Sequence, residues 1–434
     1  MFDLNKYGEN PCLEGNGRSY SYREIYQTVE LMKQSLYGRN LILCLCENTI
    51  SSLIGYITFI VHDQVPILVE SGQTEAVLSS IITNYSPEYI WTQESRLATL
   101  PSGEVVYRLG NYVLLKLTIL SGGGTELNDS LQLLLTTSGS TGSSKFVRLS
   151  RANLIANAES IIEYLDIGSD DVAVTTLPYN YSFGLSIINT HLFTGASIQV
   201  TELTPLSRDF WELVQQKRIS SLSGVPYTFN MLKRIKFQRF DLKYIRYLSQ
   251  AGGKMPTETL HYLRQVAAEK GWPCYVMYGQ TEATARMSYL PAECLDIKLG
   301  SIGRPIPGGD FSIVDEAGEI IDSPFTQGEL VYTGANVAMG YAARKEDLAS
   351  GDEWNGRLFT GDLGYRDEEG FYYITGRLKR FIKLFGNRVS LDEVESLLHM
   401  AFEEGEFICS GEDDCLRIGC IGSLSSDQVV KIGR

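Results

Sequence analysis

A stretch rich in glycine and hydroxyl side chains, Thr136 to Lys145, follows an apolar segment, Leu131 to Leu135, that is typical of a strand. Backbone N–H groups and hydroxyls in such a loop can turn inward and surround an anion. A lysine at its end adds a positive charge for a phosphate. The pattern is not a Walker loop, because there the lysine follows glycine, whereas Lys145 follows Ser144. The segment predicts a phosphate-binding loop, and a solvated turn is the alternative.

A second segment, residues 278–282, reads Tyr-Gly-Gln-Thr-Glu and follows another short apolar strand pattern. The ring of Tyr278 can stack on a nucleotide base, Thr281 can bind a phosphate oxygen and Glu282 can hold Mg²⁺. The alternative is a strand-to-helix turn in which Thr281 is the N-cap.

Asp362 and Arg377 each follow a glycine near the end of the chain. A buried aspartate can accept hydrogen bonds from both hydroxyls of a ribose, and an arginine can support it. For either residue alone, a turn aspartate or a surface arginine is the simpler interpretation.

Taken together, these segments resemble motifs of the acyl-adenylate-forming superfamily, which includes acyl-CoA synthetases, luciferases and peptide-synthetase adenylation domains. The first is similar to the phosphate loop Thr-Ser-Gly-Thr-Thr-Gly-x-x-Lys, with Ser140 in place of threonine, and the second matches Tyr-Gly-x-Thr-Glu. Asp362 and Arg377 resemble the ribose pair of that family. Residues 328–334 with 340–341 resemble a segment of mainly structural role.

Two weaker segments fit the same resemblance, although each could be only a packing turn. Residues 177–184 resemble the acyl-pocket motif Leu-Pro-x-x-His-x-x-Gly, with Tyr181 in place of histidine. Residues 250–254 resemble the glycine turn that lines adenine and the acyl group. The motifs occur in the family's order between Ser21 and Glu395.

The resemblance implies a role for each matching residue. Lys145, Thr281 and Glu282 would stabilise charge during catalysis, and Glu282 would bind the metal. Tyr181 and Gly252 would contact the acid. ATP would be bound by Thr137, Ser138, Gly139, Ser140, Thr141, Gly142, Lys145, Gly252, Gly253, Tyr278, Gly279, Gln280, Thr281, Asp362 and Arg377.

The implied fold is α/β. Residues 1–376 would form an N-terminal AMP-binding domain of two α/β subdomains and a β-barrel-like subdomain, residues 377–380 a hinge centred on Lys379, and residues 381–434 a small α+β domain. Fifty-five residues follow Lys379, roughly half of what the family carries. The family's lysine near the chain end has no counterpart here. Either the chain is truncated, in which case we expect weak or absent adenylation with nucleotide binding kept, or adenylation proceeds without that lysine.

The implied reaction joins a small carboxylic acid to AMP, using ATP and Mg²⁺ and releasing pyrophosphate, and then transfers the acyl group to a thiol. The thiol would belong to coenzyme A or to the phosphopantetheine of a carrier protein. Residues 179–184 lack the acid that amino-acid-activating relatives carry, which favours a fatty, aryl or hydroxy acid. The alternatives are an acyl- or aminoacyl-carrier-protein ligase and a binding protein without turnover.

The elements that must position these residues alternate between strands and helices. Residues 41–47 and 65–70 are predicted strands, residues 51–62 are a predicted helix, and a capping box at Ser21 and Glu24 begins a helix that should end near Gly38. The alternation indicates α/β layers with a largely parallel sheet. Shorter strands after residue 300 indicate a β-rich subdomain.

Composition limits the class of protein further. The 434 residues are 44% hydrophobic and 21% charged, which suits a globular chain of two or three units. A net charge of −14 disfavours nucleic acid as a partner. No apolar run is long enough to span a bilayer and no signal peptide is evident, so a cytoplasmic location is expected. The eight cysteines form no Cys-x-x-Cys pair and are expected to be reduced.

Overall fold

The chain divides into two compact units in a computed structural model that describes residues 1–118, 126–137, 145–378, 380–384, 387–391, 394–395, 397–398, 402, 406–412 and 415–421. Unit 1 comprises Met1–Asp310 and Thr333–Leu358, and unit 2 comprises Phe311–Tyr332 and Phe359–Arg434. The domain boundary expected at residue 376 stays a prediction, and the expected hinge residue Lys379 lies outside the described residues.

The helices and strands follow one another in a mixed order along the chain. The α-helices are α1 (Leu4–Tyr7), α2 (Tyr22–Lys33), α3 (Ile50–Val61), α4 (Glu75–Tyr85), α5 (Arg151–Leu165), α6 (Ser182–Thr194), α7 (Arg208–Gln216), α8 (Pro226–Ile235) and α9 (Thr257–Lys270). The strands are β1 (Pro11–Gly15), β2 (Arg18–Ser21), β3 (Leu41–Cys46), β4 (Val65–Glu70), β5 (Tyr89–Gln93), β6 (Gly103–Leu109), β7 (Tyr112–Leu117), β8 (Leu131–Thr136), β9 (Phe146–Ser150), β10 (Val172–Val174), β11 (Ser197–Gln199), β12 (Ser221–Gly224), β13 (Tyr247–Gln250), β14 (Cys274–Tyr278), β15 (Ser288–Leu290), β16 (Arg304–Pro305), β17 (Gly309–Val314), β18 (Gly328–Gly334), β19 (Gly340–Ala342), β20 (Arg357–Arg366), β21 (Tyr372–Arg377), β22 (Phe381–Leu384), β23 (Asn387–Ser390), β24 (Glu406–Glu412) and β25 (Cys415–Ile421).

The largest sheet lies in unit 1 and has the strand order β19-β9-β8-β4-β3-β5-β7-β6. Its central strands β8, β4, β3 and β5 are parallel neighbours, and antiparallel strands complete both edges. All six residues of β3 are buried, as expected for a strand that is covered on both faces. The α/β class is confirmed, but parallel pairing is confined to the centre. At one edge the tight turn between β6 and β7 permits only antiparallel pairing.

Two smaller sheets complete unit 1. One has the order β12-β13-β14-β15-β16 and the other has the order β10-β11-β1-β2. The first has three parallel strands followed by two antiparallel ones. Among the helices that the structure describes, none combines the length and apolar character needed to cross a bilayer.

Unit 2 contains the four-stranded sheet β17-β18-β20-β21, in the part of the sequence where short strands were expected. The ring of Phe311 packs against those of Tyr332 and Tyr372, with both pairs of centroids 5.1 Å apart. The hydroxyl of Tyr372 donates to the Phe311 carbonyl at 2.8 Å. This sheet holds the segment around Asp362 in a fixed register.

Helix α2 shows how local sequence sets a helix start but not its end. The Ser21 hydroxyl accepts from the Glu24 amide, and the Glu24 carboxylate accepts from the Ser21 amide, so the predicted capping box is present. The helix ends at Lys33, whereas the pattern predicted an end near Gly38. Residues 34–36 leave the helix through a turn, because Gln34, Ser35 and Leu36 bond to carbonyls three residues back.

Candidate functional site

The carboxyl ends of three parallel strands meet along one edge of the five-stranded sheet in unit 1. In their register Gly224 lies beside Gln250, and Gln250 lies beside Val276. The strands end at Gly224, Gln250 and Tyr278, and the carboxyl edge of such a sheet is where α/β proteins bind ligands. The predicted segments 250–254 and 278–282 therefore begin at one edge.

The turn after β14 fixes the position of Thr281. Gly279 is required in this turn, since a Cβ there would lie 1.8 Å from the carbonyl oxygen of Ala285. The Thr281 side chain is buried, and its hydroxyl donates to the hydroxyl of Ser182 at 3.3 Å. The alternative role of Thr281 as an N-cap is wrong, because the N-cap of this short 3-10 turn is Gln280, without a side-chain capping bond. Thr281 instead ties the turn to the start of α6.

Glu282, Tyr341 and Lys145 form one group, which we call the Glu282 cluster. The Tyr341 hydroxyl donates to Oε1 of Glu282 at 2.7 Å. The ammonium of Lys145 lies 3.3 Å from the centroid of the Tyr341 ring, within cation–π range. Burial, and then the Glu282 carboxylate, raise the pKa of Tyr341 above its ordinary value, so its hydroxyl remains a proton donor. The carboxylate of Glu282 and the ammonium of Lys145 thus both contact Tyr341.

Arg148, on β9, holds the strand that carries Tyr341. Its side chain is fully buried and donates to the carbonyls of Tyr341 at 3.1 Å and Met339 at 3.2 Å. It also donates to the carbonyl of Ser350 and forms an ion pair of 2.9 Å with Glu353. Arg148 is therefore a positioning residue for the Glu282 cluster.

The segment before β19 is also bonded to the turn that carries Glu282. The Asn336 amide donates to the carbonyls of Ala283 at 2.9 Å and Arg286 at 3.1 Å. The backbone N–H of Ala338 donates to the Glu282 carbonyl at 2.9 Å. These buried bonds fix the backbone on both sides of the contact between Glu282 and Tyr341.

Tyr181 and Gly252, the two residues predicted to contact the acid, lie against each other. Gly252 has a φ of +85°, which favours glycine, and a Cβ there would lie 2.5 Å from the Tyr181 hydroxyl oxygen. The Gln250 amide donates to the Gly253 carbonyl at 2.9 Å and so fixes the same turn. Burial raises the pKa of Tyr181.

Asp362 and Arg377 are paired within unit 2. They face each other on β20 and β21, with Nε of Arg377 3.1 Å from Oδ1 of Asp362. The side chain of Asp362 is buried and that of Arg377 is 66% exposed. The Asp362 amide donates to the Thr360 hydroxyl at 3.0 Å, and the Thr360 hydroxyl donates to the Leu330 carbonyl at 2.7 Å. The two residues predicted to bind the ribose therefore form a salt bridge in which the Arg377 side chain is exposed and the Asp362 side chain is buried.

Some predicted residues fall outside the described residues, namely Ser138, Gly139, Ser140, Thr141, Gly142 and Lys379. Thr137 directly follows β8, and Gln280 donates to the Tyr278 hydroxyl at 3.2 Å. From the sequence, the segment that contains Tyr341 was predicted to have a mainly structural role, so its contact with Glu282 was missed. No role was predicted for Arg148. The available signal was a single arginine within a short, mostly apolar strand, β9.

Oxygen ligands suit Mg²⁺, and Glu282 supplies one carboxylate. Among the described residues no group of three His, Cys, Asp or Glu side chains could hold a metal on its own. Such a site fits a cation that brings phosphate oxygens and water as its other ligands, as Mg·ATP does, better than a resident metal ion. The cluster could hold that cation with Glu282 and a phosphate with Lys145.

Comparison with known proteins places these features in a family. The model of the AMP-binding enzyme family matches residues 3–342. The 2-succinylbenzoate–CoA ligase of Bacillus pumilus (strain SAFR-032) is 31% identical over 290 residues, which cover 67% of this chain and 57% of that protein. The L-proline–[L-prolyl-carrier protein] ligase of Streptomyces coelicolor is 31% identical over 303 residues, which cover 66% of this chain and 55% of that protein. The match thus spans less than two thirds of these relatives.

The fold of this chain also matches that of a solved structure. The O-succinylbenzoate coenzyme A synthetase (MenE) of Bacillus subtilis, solved in complex with ATP and magnesium ion, superposes with a TM-score of 0.79 at 21% identity, covering 99% of this chain and 91% of that one. The implied fold is thereby confirmed. With a family model that matches more than three quarters of its length, the chain belongs to the AMP-binding enzyme family.

Proposed function

We propose that this protein is an AMP-forming carboxylate ligase that activates a small carboxylic acid with Mg·ATP and passes the acyl group to a thiol. The observation that carries the proposal is the Glu282 cluster, in which a carboxylate for the cation and an ammonium for a phosphate share Tyr341. The relatives, which are ligases of coenzyme A or a carrier protein, support it.

In the first step a substrate carboxylate oxygen attacks the α-phosphorus of ATP. The bond to the bridging oxygen breaks, pyrophosphate leaves with that electron pair, and acyl-AMP forms. Lys145 would neutralise phosphate charge, Glu282 would orient the cation of Mg·ATP, and Thr281 would bind a phosphate oxygen. The protein supplies no covalent nucleophile in this step, so its residues act by positioning and electrostatics.

Residues elsewhere would bind the rest of the substrates. We assign the ribose hydroxyls to Asp362, with Arg377 supporting it, and the base to Tyr278. Tyr181 and Gly252 would bound the acid. In the second step a thiol sulfur attacks the acyl carbonyl, AMP leaves with the electron pair of the broken C–O bond, and a thioester forms.

Carboxylate-dependent exchange of pyrophosphate into ATP tests the first step. A panel of fatty, aryl, hydroxy and amino acids is supplied with Mg²⁺. Exchange with one class would establish adenylation and identify the acid. No exchange with any acid, in protein that still binds ATP, would contradict the enzyme and favour a nucleotide-binding role.

A second candidate differs only in the acceptor. Similarity to the prolyl-carrier-protein ligase favours a carrier protein, and similarity to the succinylbenzoate ligase favours coenzyme A. Coenzyme A and a phosphopantetheinylated carrier protein are therefore supplied in parallel with the acid that supports exchange. Thioester formed with only one of them identifies the acceptor.

A further inference from the structure

Arg286 is a buried arginine that lies between the Thr281 turn and β15. It is 2% exposed. One terminal nitrogen donates to the Tyr164 hydroxyl at 3.1 Å and lies 3.2 Å from the sulfur of Met277. The guanidinium carbon lies 5.0 Å from the centroid of the Phe183 ring. Its Nε is buried and has no hydrogen-bond acceptor.

The charge of Arg286 is not matched by the protein. Within the part of the chain that the structure describes, no acidic side chain forms an ion pair with it. Two other arginines of unit 1 differ, since buried Arg148 pairs with Glu353 and the more exposed Arg246 pairs with buried Asp171. A buried guanidinium with polar and aromatic neighbours but no anion is costly, because these contacts replace its solvation by water only in part.

Two neighbours of Arg286, Phe183 and Met277, lie in or next to segments already assigned to substrate. Phe183 follows Ser182, which bonds to Thr281, and Met277 precedes Tyr278. Asn157 donates its amide to the Arg286 carbonyl at 2.9 Å, and it lines a water-sized cavity of about 10 Å³ with Ser182 and Thr284. The unmatched charge thus lies against the ring of Phe183, whose centroid is 6.4 Å from that of Tyr181, a residue predicted to contact the acid.

We propose that Arg286 binds a second carboxylate on the substrate, so that the acid activated by this protein is a dicarboxylic acid. The proposal rests on the proposed function, because it takes the acid site of that function as given. The planar guanidinium matches a carboxylate in a two-point contact, and the Nε that lacks an acceptor would supply one of the two donors. One carboxylate reacts with ATP while Arg286 holds the other.

Binding of matched acids tests the proposal without requiring turnover. Isothermal titration calorimetry compares glutarate with monomethyl glutarate, and 2-succinylbenzoate with 4-oxo-4-phenylbutanoate, which lacks the ring carboxylate. In at least one pair we expect the diacid to bind about 10- to 100-fold more tightly than its partner of lower charge. Equal binding within both pairs, or tighter binding of the less charged acids, would overturn the proposal.

Variants of Arg286 separate recognition from a structural role. Arg286→Met should abolish the preference for the diacid, and Arg286→Lys should keep part of it. Because Arg286→Met removes an unmatched buried charge, its urea midpoint should be equal to or above that of the wild type. The matched control, Arg246→Met, leaves buried Asp171 unpaired, so it should lower the midpoint and keep the diacid preference. A diacid preference that survives Arg286→Met, in folded protein, contradicts the proposal.

Different results would contradict the ligase activity and the role of Arg286. Pyrophosphate exchange that occurs with monocarboxylic acids and is unchanged by Arg286→Met would leave the ligase intact and overturn the role of Arg286. A diacid preference in binding that depends on Arg286, without exchange for any acid, would support the role of Arg286 and contradict the ligase.

Discussion

The hydroxyl of Tyr341 donates to the carboxylate of Glu282 across 2.7 Å, although 59 residues separate them along the chain. Since the pKa of Tyr341 is raised by burial and by Glu282, the tyrosine donates this bond throughout the neutral range. The bond leaves the second oxygen of Glu282 for a cation. Tyr341 therefore sets the direction of the carboxylate on which the proposed Mg·ATP site depends.

Replacing Tyr341 by phenylalanine should lower kcat/KM for Mg·ATP by about tenfold, because the carboxylate loses the bond that orients it. The measurement is the steady-state exchange rate at varied Mg·ATP. Tyr85→Phe is the matched control, since the Tyr85 hydroxyl donates to the carbonyl of Ala342, the residue after Tyr341, at 2.8 Å. It should cost about 1 kcal/mol of stability and keep the rate. Equal losses of rate in both variants would contradict an orienting role.

Replacing Gly252 by alanine should destabilise the protein by about 2 kcal/mol, because the cost of a positive φ is added to the cost of a clash with the Tyr181 hydroxyl. Gly271→Ala is the control, because its φ is +68° with open space around it, and about 1 kcal/mol is expected. Unfolding in urea gives both values. The double variant Gly252→Ala with Tyr181→Phe should recover part of the loss. If it recovers nothing, the close approach is not the cause.

His191 should make stability depend on pH between about 4 and 6.5. Burial lowers the pKa of His191 from 6.5 to about 4. The nearby charges of Arg286 and Arg246 also lower this pKa, whereas the bond to Ile187 and the charge of Asp171 raise it by less. Above pH 6.5 the imidazole is neutral in both states, so stability is complete. As the pH falls towards 4 only the unfolded state binds the proton, and about 3 kcal/mol is lost.

Urea midpoints from pH 4 to pH 8 measure this dependence, and the difference between the wild type and His191→Asn isolates the histidine. The variant should show a shallower decline between pH 6.5 and pH 4. Parallel curves for the two proteins over that interval would mean that His191 is not the group that titrates.

Replacing Arg148 by methionine should lower the free energy of unfolding by about 3 kcal/mol, because buried carbonyls at Tyr341, Met339 and Ser350 lose their donor. Chemical denaturation measures the loss. Arg208→Met removes an exposed pair with Glu212 and should change stability by less than about 0.5 kcal/mol. A loss in Arg148→Met no larger than in Arg208→Met would exclude the positioning role.

Local patterns predicted much of the fold. The strand at Val65–Glu70 has the predicted bounds, because an apolar run and turn residues mark its ends. The capping box at Ser21 is likewise a short-range signal. The end of α2 at Lys33 was not predictable, since no glycine or proline stops the helix there and packing decides.

Only those parts of the candidate site that lie within one continuous segment could be predicted from the sequence. Residues 278–282 and the strand end at Gln250 could be found because each motif is continuous in the sequence. The contact of Glu282 with Tyr341 arises from sheet register and from the bonds of Arg148, which no periodicity encodes. The unmatched charge of Arg286 is visible only once burial and the absence of an acidic partner among the described residues are known.

A single-turnover reaction with Mg·ATP, labelled on the α-phosphate, and the acid that supports exchange tests directly whether the protein forms acyl-AMP at the Glu282 cluster. We predict one acyl-AMP for each pyrophosphate released. We also predict a loss of at least about 100-fold in the rate of acyl-AMP formation in Glu282→Gln, which keeps the side-chain shape but removes the charge that holds the cation. ADP with inorganic phosphate as products, or an undiminished rate in Glu282→Gln, would contradict acyl-AMP formation at this cluster.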